Sequence, residues 1–182
     1  DISSAVHWEA KKVIPLPLEE MILDWKKIDD AEVDAKTPTS NMRVLLTGAP
    51  RSLVRNYINI FKETHMSLLS LETETFSLIR SLLGNDKSTV MLVEIGASTT
   101  DVSVIDNGIP MLNRSIDVGG LSITNSISDL LNIGAERAEQ FKYDMGISSL
   151  ESNDDQVPKA ITDTISPVIN EIKYAINLFQ SK

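Results

Sequence analysis

Apolar residues recur with two periods along this chain, and the places where the period changes divide it into elements. Ala5-Val6-His7-Trp8-Glu9-Ala10-Lys11-Lys12 is amphipathic at helical spacing. Ile14-Pro15-Leu16-Pro17 closes it, because proline lacks the N–H a helix needs and clashes with the preceding turn. Met21 to Lys27 and Met42 to Ala49 predict strands, separated by a polar loop over Asp29 to Asn41 that contains Pro38. Ser52 is placed to N-cap a helix to about Met66, with Leu53, Val54, Tyr57, Ile58 and Phe61 at helical spacing. Ser67 to Thr73 predicts one more strand, and Trp8 and Trp25 are expected to pack inside this first unit.

The pattern then changes. Thr75 to Leu83 predicts a short helix crossing into a second unit, ended by Gly84-Asn85-Asp86. Val90-Met91-Leu92-Val93 is the run of a buried strand, and Thr100 to Ile105 alternates as a second strand. Asp106-Asn107-Gly108 is a hairpin turn, with Ile109 to Ile116 as the third strand. Leu121, Thr124, Ile127, Leu130 and Leu131 share one helical face, and a further helix runs from Ala135 to about Tyr143. Asn153-Asp154-Asp155 reads as an acidic loop and N-cap. The last helix, about 156 to 180, places Ile161, Ile165, Val168, Ile169, Ile172, Ile176 and Phe179 on one side, and Pro167 is expected to kink or split it. The fold class is therefore mixed α+β and α/β in two units, with the break near residues 74 to 87.

Composition narrows the chemistry. A net charge of −9 works against nonspecific nucleic-acid binding, which needs clustered Lys and Arg. With no cysteine there is neither a disulfide framework nor a thiolate metal site. His7 and His65 stand alone, without metal-ligand spacing or a nucleophile to serve. The chain of 182 residues starts at Asp1 and reads as a piece of a longer protein.

Two turns carry the candidate chemistry. Gly96-Ala97-Ser98-Thr99 joins two strands with little side-chain bulk, so its N–H groups can face an anion. Ser98, Thr99 and Thr100 add hydroxyl donors. Glu94, at the strand's end, can hold Mg²⁺ through water. Gly119-Gly120 opens a helix, where backbone can approach a ligand closely and free N–H groups are expected. Each turn alone suits a plain tight turn; two of them about 20 residues apart in one small sheet favour a phosphate ligand.

The order of these parts resembles the second phosphate loop of the actin/Hsp70/sugar-kinase superfamily, and within it the PilM family of type IV pilus assembly, relatives of FtsA. The residues that carry the resemblance are Ile95 to Thr100 and Val118 to Thr124, the Ala5 to Ala10 segment followed by Ile14 to Leu18, the Phe76 to Leu82 helix, the Ala135 to Lys142 helix, and Asn170-Glu171-Ile172. It implies an actin-like (ribonuclease H-like) ATPase lobe at residues 75–182 and a small inserted α+β subdomain at residues 1–74. It also implies that ATP and Mg²⁺ bind the complete protein but bind this chain weakly. The phosphate contacts would be Gly96, Ala97, Ser98, Thr99, Thr100, Gly119 and Gly120, with a ribose contact from Glu171. The implied partner is the cytoplasmic N-terminal peptide of a PilN-like inner-membrane protein, with no direct membrane insertion, a cytoplasmic location peripheral to the inner membrane, and oligomerisation left open. The family usually has Asp where this chain has Glu94, so at most slow ATP hydrolysis is expected. The other functions the resemblance allows are an actively cycling ATPase and an FtsA-like division or filament protein.

Overall fold

The computed structural model describes residues 2–28, 42–146 and 156–181, with side chains from residue 159 onward in the last segment. The expected 29–41 loop and the Asn153-Asp154-Asp155 cap lie outside the described residues. The chain divides into two compact units, Asp1–Leu71 and Glu72–Lys182.

In the first unit, helix α1 (Ile2–Val13) buries Val6 and Ala10, one turn apart on the same face. A short 3₁₀ turn (Leu18–Glu20) leads into strand β1 (Met21–Lys27). Strand β2 (Val44–Pro50) pairs antiparallel with it, Trp25 opposite Leu46. Helix α2 (Arg51–Glu63) follows without a loop. Three expectations need correcting. Ser52 does not cap α2: Pro50 holds that place, its fixed φ of −59° suiting the strand-to-helix corner, and Arg51 is already helical. Ser67 to Thr73 forms no strand, because among the described residues no other segment offers it a ladder: the unit's sheet is β1 and β2 alone. Trp8 is not core; it is 67% exposed and lies under the Lys12 ammonium, 5.5 Å from the ring centre.

In the second unit, helix α3 (Glu74–Leu78) runs on into a π turn (Ile79–Leu83). Strands β3 (Val90–Ile95), β4 (Thr100–Asp106) and β5 (Ile109–Ile116) form an antiparallel sheet in that order. The β4–β5 corner is a tight turn with Asn107 at φ 53° and Gly108 at φ 77°, the left-handed pair that matches strand twist. Helices α4 (Gly120–Leu131), α5 (Ala135–Met145) and α6 (Gln156–Gln180) complete the unit.

Helix α6 serves two cores. Near its start Ile161 packs with Ile127 of α4 and Ala138 of α5. Further along Ala175 packs on Val102 and Val104 of β4, with Ile172 and Phe179 beside it. The buried line along α6 is thus Ile161, Val168 and Ala175 at seven-residue steps, while Ile169 and Ile176, expected inside, are 41% and 40% exposed. Pro167 does not split the helix, which is continuous from Gln156 to Gln180.

Candidate functional site

The two glycine turns meet. The Gly120 N–H donates to the Gly96 carbonyl at 2.9 Å, and the Leu121 N–H donates to the Ala97 carbonyl at 2.8 Å. The loop closes on itself through the Gly96 N–H and the Thr99 carbonyl, 2.9 Å apart. Gly119 is required by this approach rather than by its φ of −149°, which any residue adopts. A Cβ there would stand 2.6 Å from the Ala97 oxygen and 2.7 Å from the Gly96 oxygen. The start of α4 is satisfied locally as well. The Ser122 N–H donates to the Gly119 carbonyl at 3.0 Å, and the Gly119 N–H donates to the Ser122 hydroxyl at 3.2 Å.

This geometry changes which donors are free. The helix N-terminus was expected to offer free N–H groups, but the loop's own carbonyls and Ser122 take those of residues 119 to 121. Within the two turns, the N–H groups of Ala97, Ser98 and Thr99 meet no protein acceptor. Ala97 and Ser98 are exposed and Thr99 half-buried, so three successive backbone donors and two hydroxyls are available together at this turn. Thr100 does not add to it. Its side chain is fully buried and its hydroxyl donates to the Val118 carbonyl at 2.6 Å, tying the start of β4 to the approach of α4.

Glu94 lies two residues before the loop and faces a second group of side chains. Across the ladder it pairs with Asp101, and Leu92 pairs with Ser103, which in turn pairs with Asn113. These residues share one face of the sheet, since side chains alternate. Helix α3 covers that face with Glu74, Thr75 and Leu78, leaving a cavity of about 180 Å³. The Asn113 amide donates to the Thr75 hydroxyl at 3.2 Å, and Ser103 donates to Asn113 at 2.9 Å, so α3 is pinned to β5. Carboxylate oxygens of Glu74, Glu94 and Asp101 lie within 4.8 Å of one another, and Glu94 Oε2 is buried without a hydrogen-bond partner. Burial first, then the facing Glu74 and Asp101 carboxylates, push the Glu94 pKa upward. Hard oxygen donors in this number, one of them unpartnered, fit a divalent cation such as Mg²⁺.

Asp101 and Glu74 are site residues that the sequence pattern did not single out. The register places Asp101 beside Glu94, and the α3 start brings Glu74 over both. A signal was available: the alternation of buried Val102 and Val104 assigns Asp101 and Ser103 to the opposite face.

Glu171 is held elsewhere. Its Oε1 accepts from Arg114 Nε at 2.8 Å, and the Arg114 guanidinium sits 5.4 Å from the Tyr174 ring centre. Arg114 lies opposite Val102 in the ladder, on the face that carries α6. The sheet therefore separates Glu171 from the Glu74–Glu94–Asp101 group.

Behind the loop, α5 contributes a network that had no assigned role. Lys142 Nζ donates to the Gly120 carbonyl at 3.2 Å, to Thr124 Oγ1 at 3.0 Å and to Glu139 Oε2 at 2.7 Å. Thr124, 3% exposed, is also hydrogen-bonded to Glu139. The Lys142 contact, then that of Thr124, lowers the Glu139 pKa.

Comparison with known proteins follows the same lines. FtsA of Bacillus subtilis, a cell division protein, is 25% identical over 162 residues, covering 82% of this chain and 37% of its own length. A solved PilM-PilN type IV pilus biogenesis complex superposes over 100% of this chain and 52% of its own, with a TM-score of 0.76 and 19% identity. MreB5 of Spiroplasma citri bound to ADP matches 74% of this chain and 49% of its own, with a TM-score of 0.59 and 18% identity. The fold is that of the actin-like ATPases. The chain spans about half or less of the length of these relatives. The family model for the type IV pilus assembly protein PilM matches residues 1–182, and the chain belongs to that family.

Proposed function

We propose that this chain is the loop-bearing part of a nucleotide-binding scaffold in type IV pilus assembly, and that the nucleotide is ATP with Mg²⁺. The observation that carries the reading is the donor set at Ala97, Ser98 and Thr99: three unpartnered backbone N–H groups, two residues from a carboxylate group. An oligophosphate presents oxygens to such donors, and the low side-chain bulk of the loop lets it approach. Glu94, Glu74 and Asp101 would hold the cation, which when bound neutralises phosphate charge. Gly96, Gly119 and Gly120 shape the loop, Thr100 anchors it, and Glu171, engaged by Arg114, is assigned no ligand contact. Residues 1–74 act as the inserted subdomain and residues 75–182 as the second lobe. The ADP-bound MreB5 and the PilM-PilN complex support the nucleotide and the partner respectively.

The partner in this reading is the cytoplasmic N-terminal peptide of a PilN-like inner-membrane protein, which would hold the protein at the inner membrane. Among the described residues no helix is long and apolar enough to cross a membrane. The first unit offers an apolar groove of about 580 Å³ between α1 and β2, lined by Val6, Ala10, Val13, Met42, Val44 and Leu46. Turnover is slow in this reading, because the longer Glu94 side chain misplaces its carboxylate by about one C–C bond, and errors of about 1 Å can cost on the order of 100-fold. The test uses the full-length protein. Steady-state phosphate release is measured, and a PilN-like peptide is titrated with and without ATP. Slow release with ATP-strengthened peptide binding is expected. Turnover above about 1 per second with no peptide binding in either state would overturn the scaffold and favour the cycling ATPase.

A further inference from the structure

We propose that Asn113 of β5 is a positioning residue for Glu74. It holds the first turn of α3 over the sheet, so that the Glu74 carboxylate stands with those of Glu94 and Asp101. The consequence for a cation rests on the reading of that group given above; the coupling itself stands on hydrogen bonds within the second unit.

Three carboxylates do not assemble unaided. Oxygens of Glu74, Glu94 and Asp101 lie within 4.8 Å of one another, and like charges at that range repel. The β3–β4 ladder holds Glu94 and Asp101 opposite each other. Glu74 has no such frame. It is the first residue of α3, and Thr73 before it makes no side-chain cap hydrogen bond. A helix this short does not hold its shape alone, so its first turn depends on what the sheet offers it.

Asn113 makes that contact. It pairs with Ser103, two residues after Asp101 in β4, so it stands one same-face step along the sheet from the carboxylates, roughly 7 Å. Ser103 is 5% exposed and donates its hydroxyl proton to Asn113 Oδ1 at 2.9 Å, which leaves the amide NH₂ turned toward α3. That NH₂ donates to Thr75 Oγ1 at 3.2 Å. Thr75 adjoins Glu74, so a shift of one carries the other. The brace is also neutral. Among the described residues no lysine or arginine lines the cavity that Glu74, Thr75, Glu94, Asp101, Ser103 and Asn113 share. A basic side chain there would pair with the carboxylates and compete with a metal ion; an amide orients them and leaves their charge free.

The experiment is amide hydrogen exchange read by NMR on the ligand-free full-length protein, with titrations of Mn²⁺ alone followed by electron paramagnetic resonance on the same samples. The Ser77 N–H, which donates to the Thr73 carbonyl at 3.1 Å, reports the first turn of α3. In Asn113→Ala, at an exposed position, Ser77 exchange should rise about three- to tenfold, the worth of one neutral hydrogen bond, with Val102 in the sheet unchanged. Thr75→Val, which keeps the shape and removes the acceptor, should do the same, and it serves if Asn113→Ala does not fold. The double variant should exchange no faster than either single one. Mn²⁺ affinity should fall by a similar factor in Asn113→Ala, and Asn113→Gln, which keeps the amide, should recover part of it. In a Glu74→Gln background Asn113→Ala should change Mn²⁺ affinity no further. An equal loss in that background would mean that Asn113 acts by another route and would overturn the proposal. Unchanged Ser77 exchange in both Asn113→Ala and Thr75→Val would overturn it as well. If Glu94→Gln leaves Mn²⁺ affinity as it was, the cation reading fails, while Ser77 exchange still decides the coupling.

Discussion

At the scale of single residues, Gly119 and Glu94 make the strongest demands. A methyl group at residue 119 would fall 2.6 Å from a backbone oxygen, and backbone cannot swing aside as a side chain can. Gly119→Ala is expected to destabilise the second unit by about 1–3 kcal/mol and to displace the loop, read by urea denaturation and by amide shifts of Ala97 to Thr99. Glu94 predicts a pH effect of definite sign. Its folded-state pKa lies above its unfolded value, so its contribution is fully present below the unfolded pKa and is lost as pH rises through the folded one. The neighbouring charges that face it are Glu74 and Asp101. Glu94→Gln, uncharged throughout, should therefore raise Tm at neutral pH without added divalent cation, by roughly 2–4 °C, and lose that advantage toward pH 4. A Tm advantage that grows as pH falls would contradict the assignment. Glu139 runs the other way: its pKa is depressed, so its pairing with Lys142 weakens as pH falls through the folded value.

At the scale of elements, what could be read from the sequence is what local pattern controls. The β3–β4–β5 sheet follows from the Val90 run, the alternation after Thr100 and the turn at Asn107-Gly108, all of which are decided within a few residues. The expected strand over Ser67 to Thr73 failed because a strand needs a partner, and apolar composition does not supply one. The inner line of α6 was misjudged for a different reason. Hydrophobicity favoured Ile169 and Ile176, but the tight approach to Val102 and Val104 selects the small Ala175. Ala175→Leu should accordingly cost about 1–3 kcal/mol by overpacking, measured as a fall in denaturant midpoint, while Ile176→Leu should be near neutral. At the candidate site, the sequence displayed the loop and the double glycine but not the bonds between them. Which N–H groups stay free depends on which carbonyls they meet, and that is tertiary information. The apolar groove of the first unit makes its own prediction. Val13 is 73% exposed, so Val13→Asp should leave folding intact and weaken PilN-like peptide binding about tenfold by fluorescence titration.

At the scale of the whole molecule, the proposed function would join a donor loop, a carboxylate group beside it and an apolar groove in a separate unit. The scaffold reading asks ATP to favour the conformation that the peptide prefers, so that nucleotide and partner each strengthen the other's binding. This chain alone should bind Mg-ATP weakly, because one loop must offset an association cost of several kcal/mol. The most direct test is a calorimetric titration of Mg-ATP into the full-length protein, native and Gly119→Ala. Binding by the native protein that weakens at least about tenfold in the variant is the expected result, since the loop would lose its aligned N–H groups. Equal affinity in the two proteins, or no binding by the native one, would contradict the account.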